Sequence, residues 1–170
     1  LVTVHRAENV DDKEKLMVIV DILSEIRKKD IIVFPLHPRT AKALQRYGIM
    51  DKLCDANIRL IKPTRYSKFI MLEENARVII TDSGGVQKEA CILGVPCITL
   101  REETEWVETI ENGMNVLVGN NKLKALSALD KSGKIDANTS TIFGEGGDAE
   151  RILEIIAMNL KNAGRRKIQH

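Results

Sequence analysis

Thr81-Asp82-Ser83-Gly84-Gly85-Val86-Gln87-Lys88-Glu89-Ala90 is the stretch around which this chain is organised. Ahead of it runs Ala76-Arg77-Val78-Ile79-Ile80, short, apolar and β-branched, the pattern of a buried strand. Behind it, apolar residues at 86, 90 and 93 with a stop at Gly94 read as a helix over Val86–Leu93. The motif therefore lies where a strand ends and a helix starts. Two adjacent glycines let a ligand approach the backbone, and the first helical turn offers unpaired N–H groups at the positive end of the dipole. Such a turn is an anion site, most naturally for phosphate. The alternative is a plain strand-to-helix turn with Ser83 as an ordinary N-cap.

Working outward, strands and helices alternate. Strands are expected at Leu1–Val4, Ile31–Leu36, Ile58–Ile61, Val78–Thr81, Val95–Leu100 and Asn115–Val118. Helices are expected at Lys13–Lys29 (with Asp11 or Asp12 as N-cap), Thr40–Tyr47, Ser67–Glu74, Asn121–Leu129 and Ala149–Leu160. Thr3–Asn9 is read as a loop, residues 133–147 as turn-rich, and Gly164–His170 as a solvated basic tail. This alternation predicts an α/β fold with a doubly wound, Rossmann-like parallel sheet. Residues 1–150 would form the domain proper and 151–170 its C-terminal helix and tail.

In such sheets ligands bind outside the carboxyl ends of the strands. His5, Arg6, Glu8 and Asn9 follow the first strand, His37 the second, and Arg65 and Tyr66 the third. Asp82, Ser83, Gly84 and Gly85 follow the fourth, and Arg101, Thr104, Glu105 and Glu108 the fifth. A mixed-charge edge with two arginines and a glycine turn suits a phosphorylated ligand that carries hydroxyls. The dinucleotide fingerprint G-x-G-x-x-G after the first strand is absent, and so is the P-loop pattern.

Composition narrows the classes further. A chain of 170 residues, 44% hydrophobic and 29% charged, suits one globular domain. A net charge of +2 and 4% aromatics argue against a nucleic-acid partner. No apolar run reaches the roughly 18 residues of a membrane helix, so no membrane association is expected. Cys54, Cys91 and Cys97 show no paired spacing and read as small buried hydrophobes in a protein of a reducing, cytoplasmic compartment. Three scattered histidines give no metal constellation, and no cofactor is expected. The chain opens directly on a strand without an initiator Met, which leads us to expect a piece of a longer protein.

Several segments resemble the non-hydrolysing UDP-N-acetylglucosamine 2-epimerases. They are Thr3-Val4-His5-Arg6-Ala7-Glu8-Asn9, Asp82 to Glu89, Gly94-Val95-Pro96 and Arg101-Glu102-Glu103-Thr104-Glu105. Asn112-Gly113-x-Asn115-x-Leu117-Val118-Gly119 and Phe143 to Ile152 are similar to the family's later signatures. The resemblance covers nearly the whole chain, in order, and aligns it with the C-terminal half of the enzyme. It implies the C-terminal domain of a glycosyltransferase-B architecture, with UDP-N-acetylglucosamine or UDP as ligand, an N-terminal domain outside this chain, and a homodimer for the full-length protein.

The same resemblance implies residue roles. Ser83, Gly84 and Gly85 would hold the diphosphate, Glu89 would accept hydrogen bonds from the ribose hydroxyls, and Arg6 would pair with phosphate or sugar oxygens. Phe69 would stack on or flank the uracil, with a core role in the third helix as the alternative. His5 would face the diphosphate and reacting sugar and take part in the chemistry; otherwise it is a histidine satisfied by backbone. Glu8, Arg101 and Glu105 would line the site. One departure stands out: the family's Thr-Glu-Arg-Pro-Glu reads Thr104-Glu105-Trp106-Val107-Glu108 here.

The implied reaction removes the C2 proton of the sugar, expels UDP from C1 to leave a 2-acetamidoglucal, and re-adds UDP after reprotonation on the opposite face. The acid–base carboxylates come mainly from the N-terminal domain, so these 170 residues alone should bind UDP weakly and turn over nothing. Three alternatives stay open from sequence: the donor-binding half of a glycosyltransferase, a hydrolysing epimerase, and a non-catalytic interaction module.

Overall fold

The computed structural model describes residues 1–54, 57–132, 142–144 and 146–166, with side chains as far as residue 159. Among the described residues six short parallel strands carry the fold: β1 (Val2–Thr3), β2 (Ile32–Pro35), β3 (Ile58–Ile61), β4 (Ile79–Thr81), β5 (Cys97–Thr99) and β6 (Asn115–Leu117). Hydrogen-bonded ladders join β1-β4-β5-β6 and, separately, β2-β3. β1 packs beside β2, so the order across the molecule is 3-2-1-4-5-6. That is the doubly wound Rossmann order expected from the alternation, with its switch point between β1 and β4. The register pairs Val2 with Ile80 and Thr3 with Thr81, which brings the ends of β1 and β4 level.

The helices are α1 (Ala7–Val10), α2 (Lys13–Ile26), α3 (Pro38–Arg46), α4 (Tyr66–Glu74), α5 (Gly84–Ile92), α6 (Val107–Glu111), α7 (Lys122–Lys131) and α8 (Asp148–Arg166). A single 3-10 turn covers Met50–Leu53. Two helices were not expected. α1 occupies part of the segment read as a loop, and α6 follows the fifth strand; both are too short to display a helical period.

Sequence chemistry explains most boundaries. Asp12 caps α2 by accepting from the N–H groups of Glu14 (2.9 Å) and Lys15 (3.1 Å). The helix ends at Ile26 rather than Lys29, and Arg27–Asp30 form the turn that leads into β2. His37 caps α3, its Nδ1 accepting from Arg39 N at 3.2 Å, with Pro38 in the first turn. Gly94 (φ 70°) reverses the chain after α5, where a side chain would strain the left-handed backbone. α8 runs on through Gly164 to Arg166, so the basic segment read as a tail is helical that far. Residues 167–170 and most of the turn-rich 133–147 stretch lie outside the described residues.

The main core lies where α2 and α7 cover the sheet. Leu16, Ile19, Val20, Leu23 and Ile26 recur at helical spacing and are buried against Val2, Val4, Ile80, Ile98 and Leu100. A smaller cluster on the other face joins Ile79, Val86, Ala90, Val95 and Cys97, with Phe69 packed on its border. The central strands β1, β4 and β5 are buried along their length and apolar until they reach the polar edge, while the outer strands β3 and β6 are partly exposed.

Candidate active site

The site is built at the switch point. Asp82, the residue after β4, is fully buried, and its carboxylate is shared by the loop after β1. It accepts from His5 N (3.1 Å to each oxygen), Arg6 N (2.9 Å) and Asn9 Nδ2 (3.2 Å). Asn9 also donates to Leu100 O at 3.0 Å, which ties the end of β5 into the same knot. Beneath it the Thr3 and Thr81 hydroxyls pair at 2.6 Å, and Ser83 N donates to Thr81 Oγ1 at 2.9 Å. Three strand ends are thereby locked together by neutral and charge-assisted hydrogen bonds. Neither Asp82 nor Asn9 stood among the residues with an assigned role, although their position at strand ends in quoted motifs was the available signal.

α5 starts at Gly84, two residues before the expected position, and Ser83 occupies the N-cap position without any side-chain capping bond. The ordinary-cap alternative is therefore not what the hydroxyl does. The first-turn N–H groups of α5 thus receive no bond from the side chain at the cap position. Around them stand Arg6, Arg101, Glu8 and Glu105. Arg101 Nε donates to Glu8 Oε1 at 3.1 Å, and its Nη1 donates to both oxygens of Glu105 at 2.9 and 3.0 Å. Arg6 Nη2 lies 3.9 Å from Glu105 Oε1.

Glu105 holds an unexpected place. A methyl group on Gly84 would meet Glu105 Oε2 at 2.9 Å and Trp106 Nε1 at 3.5 Å. The Glu105 carboxylate thus sits over the start of α5 as an internal anion. Its carboxyl is held below the ordinary carboxylate value by its own backbone N–H and then by the Arg101 guanidinium. Trp106 packs edge-on against Phe143 (centroids 5.6 Å apart), and Lys88 Nζ lies 4.7 and 4.8 Å from those two ring centroids. Where the family pattern has arginine, this chain presents an indole with an ammonium beside it.

On the other side of the switch point a pocket of about 230 Å³ opens between strand ends. It is lined by His5, Pro35, His37, Pro63, Thr64 and Phe69, among others. The His5 and His37 rings stand 5.4 Å apart, tilted by 37°. His5 is held below its ordinary value, chiefly by burial, with His37 and Arg6 pushing the same way and Asp82 opposing. At neutral pH it is therefore an uncharged imidazole, able to accept or donate a proton. Phe69 is half-buried, lining this pocket and at the same time bordering the smaller core cluster, the core contact that was its alternative.

The structure thus gathers His5, Arg6, Glu8, Phe69, Ser83, Gly84, Gly85, Arg101 and Glu105 at one edge. Glu89 stands apart, further along α5 on the side that faces α4. Its Oε1 accepts from Tyr66 Oη at 3.0 Å. Cys91 and Cys97 are buried, with burial pushing Cys97 up to about 12, and have no part in this edge; Cys54 is exposed. Among the described residues no cluster of histidine, cysteine and carboxylate side chains has the geometry of a metal site, and no helix is long and apolar enough to cross a membrane.

Comparison with known proteins supplies the context. Residues 1–157 match the family model described as UDP-N-acetylglucosamine 2-epimerase. A protein of that name from Methanocaldococcus jannaschii is 50% identical over 159 residues, covering 92% of this chain and 43% of the relative. A UDP-2,3-diacetamido-2,3-dideoxy-D-glucuronate 2-epimerase from Pseudomonas aeruginosa is 42% identical over 159 residues, with 92% and 44% covered. The crystal structure of the M. jannaschii UDP-GlcNAc 2-epimerase in complex with UDP-GlcNAc and UDP superposes with a TM-score of 0.85 at 49% identity, covering 92% of this chain and 44% of that one. A Neisseria meningitidis UDP-GlcNAc 2-epimerase bound to UDP-GlcNAc gives a TM-score of 0.73 at 31% identity, with 94% and 44% covered. This chain spans less than half the length of the relatives it matches.

Proposed function

The chain belongs to the UDP-N-acetylglucosamine 2-epimerase family, and from that premise we propose that it is the UDP-holding half of an enzyme interconverting UDP-N-acetylglucosamine and UDP-N-acetylmannosamine. The observation that carries this is the uncapped start of α5 at Ser83-Gly84-Gly85, faced by Arg6 and Arg101 at the switch point of the sheet. Backbone N–H groups with two guanidinium groups in reach suit a diphosphate that must leave and return.

On this reading the uracil occupies the pocket walled by Phe69, Pro35 and Pro63, whose flat apolar surfaces fit a pyrimidine. Glu89 binds the ribose diol. His5, uncharged and held at the strand end by Asp82, sits between base pocket and diphosphate cradle and takes part in proton movement at the sugar. Removing the weakly acidic C2 proton needs positioned carboxylates, which this reading assigns to the remainder of the protein. Departure of UDP from C1 is then favoured by the arginines and helix start, which stabilise the charge that develops on the diphosphate. Return of UDP after reprotonation, rather than its loss to water, makes the enzyme non-hydrolysing.

Thermal unfolding with UDP tests the nucleotide half, with UMP, ADP and NAD as controls. Ligand at 100 times its dissociation constant adds about 2.7 kcal/mol, hence a rise of roughly 5–10 °C selective for UDP. For the chemistry, the complete gene product is incubated with UDP-N-acetylglucosamine in D2O and followed by NMR. UDP-N-acetylmannosamine deuterated at C2 is the expected product. Free N-acetylmannosamine with UDP would assign the hydrolysing reaction instead, and no UDP-selective rise would overturn the reading.

A further inference from the structure

Glu73, at the end of α4, is a charge-bearing residue buried where nothing in the family reading requires one. It follows Phe69 and Leu72 at helical spacing, so the apolar face of α4 carries it inward against α5. Its relative exposure is 0%, and neither Oε1 nor Oε2 has an N–H or O–H donor from the described residues. An ionised carboxylate in that position would be desolvated and unpaired, an arrangement proteins avoid by keeping the proton. The neutral acid then has one O–H to donate, and the acceptor it faces is the carboxylate of Glu89 on α5.

We propose that Glu73 is a positioning residue: as a buried neutral acid it hydrogen-bonds Glu89 from behind and, together with Tyr66, aims that carboxylate at the ribose diol of the nucleotide. This deepens the proposed function and rests on Glu89 as the ribose contact. Tyr66 Oη, at the start of α4, donates to the Glu89 carboxylate at 3.0 Å, and the proton of Glu73, two turns along the same helix, supplies a second donor. A carboxylate fixed in this way keeps lone pairs for two vicinal hydroxyls without first losing rotamer freedom.

Among the described residues, the titratable groups that interact with Glu73 are Glu89 on α5, Tyr66 at the start of α4 and Cys97 on β5, none of them a cation. Tyr66 and Cys97 are themselves pushed up, by the bond to Glu89 and by burial respectively, and stay neutral at pH 7. Burial, then the charge of Glu89, then the bond between the two raise Glu73 to about 8. The sign follows from linkage. Between the ordinary value of 4.5 and about 8, the folded protein keeps a proton that the unfolded chain gives up. Stability from this group is therefore present at low pH and lost as pH rises through that window.

The test compares wild type, Glu73→Gln and Glu73→Leu in the complete gene product, by titration calorimetry from pH 7 to pH 9.5. The probes are UDP and 2′,3′-dideoxyuridine diphosphate. Wild-type affinity for UDP should fall about five-fold over that range as two adjacent carboxylates become charged. Glu73→Gln, an amide that still donates, should hold near wild-type affinity with no such fall. Glu73→Leu should bind UDP several-fold more weakly at every pH, while the dideoxy nucleotide binds all three proteins alike. Identical pH profiles for wild type and Glu73→Gln, or UDP bound equally by Glu73→Leu, would overturn the proposal. Unfolding midpoints give a second arm: wild type should lose stability relative to Glu73→Gln between pH 6 and pH 9, and parallel curves refute the buried proton. If wild type binds no UDP, the functional reading fails, while the unfolding arm still decides whether Glu73 holds its proton.

Discussion

Replacing Glu105 by Gln should tighten UDP binding, although Glu105 lies in the middle of the site. Its carboxylate covers the start of α5, 2.9 Å from where a Gly84 methyl would stand, and is clamped by Arg101 at 2.9 and 3.0 Å. A diphosphate arriving at the same N–H groups meets a like charge in its place. Two unit charges about 4 Å apart at an effective dielectric near 20 repel by about 4 kcal/mol. The Glu105 side chain is 53% exposed, so solvent screening and freedom to swing away reduce that to about 1 kcal/mol. Glutamine keeps the size, removes the charge and releases Arg101, which Glu8 still holds at 3.1 Å. UDP should therefore bind about five- to ten-fold more tightly to the variant by titration calorimetry in 50 mM salt. The gain should shrink at 1 M salt, where the screening length is about 3 Å. Uridine, which brings no phosphate, should bind both proteins alike. Weaker UDP binding by Glu105→Gln would refute this, because it would make Glu105 a contact of the nucleotide rather than a stand-in for its charge.

Three further expectations test the rest of the edge. Asp82→Asn turns an acceptor of His5, Arg6 and Asn9 N–H groups into a group with its own N–H donors in a fully buried place; it should cost about 3 kcal/mol in denaturant unfolding and abolish the UDP-induced rise, and near-wild-type stability would remove Asp82 as the clasp. Gly84→Ala adds a methyl whose nearest neighbour is the movable end of Glu105, within a helix where Ala is favoured by about 1 kcal/mol, so thermal stability should hold or rise while UDP affinity falls at least ten-fold; unchanged affinity would place the diphosphate elsewhere. His5, held below its ordinary 6.5 mainly by burial, leaves the unfolded chain binding more protons in the window beneath that value, so stability should decline as pH falls from 6.5, and less so in His5→Gln; parallel midpoints from pH 7.5 to 5 would contradict the burial of the imidazole.

Trp106 changes the character of this site relative to the family pattern. At this position the structure has an indole, with Lys88, one turn along α5, held over the Trp106 and Phe143 rings.

Much of this molecule is written locally. Apolar β-branched runs followed by polar motifs determine the strands, the period of Leu16, Val20 and Leu23 determines α2, and Ser83-Gly84-Gly85 determines the tight turn between β4 and α5. Those signals are legible because each depends on neighbours within about a helical turn. They also determine the edge on which His5, Arg6, Arg101 and the glycine turn meet, since every parallel strand presents its carboxyl end to the same side. Only the tertiary structure decided what those residues do to one another. Asp82 reads as an ordinary acid until β1 lies beside β4 and delivers two backbone N–H groups to it. Glu105 reads as one more acid of the polar edge, and only the fold shows that its carboxylate stands over Gly84, 21 residues earlier, clamped by Arg101. Glu73 carries no signal of its own in the sequence, because burial is a property of what packs against α4 and not of α4 itself. Charge and hydrogen-bond partnership act across 17 residues between Thr104 and Gln87 and 77 between His5 and Asp82, distances over which sequence carries no period to read.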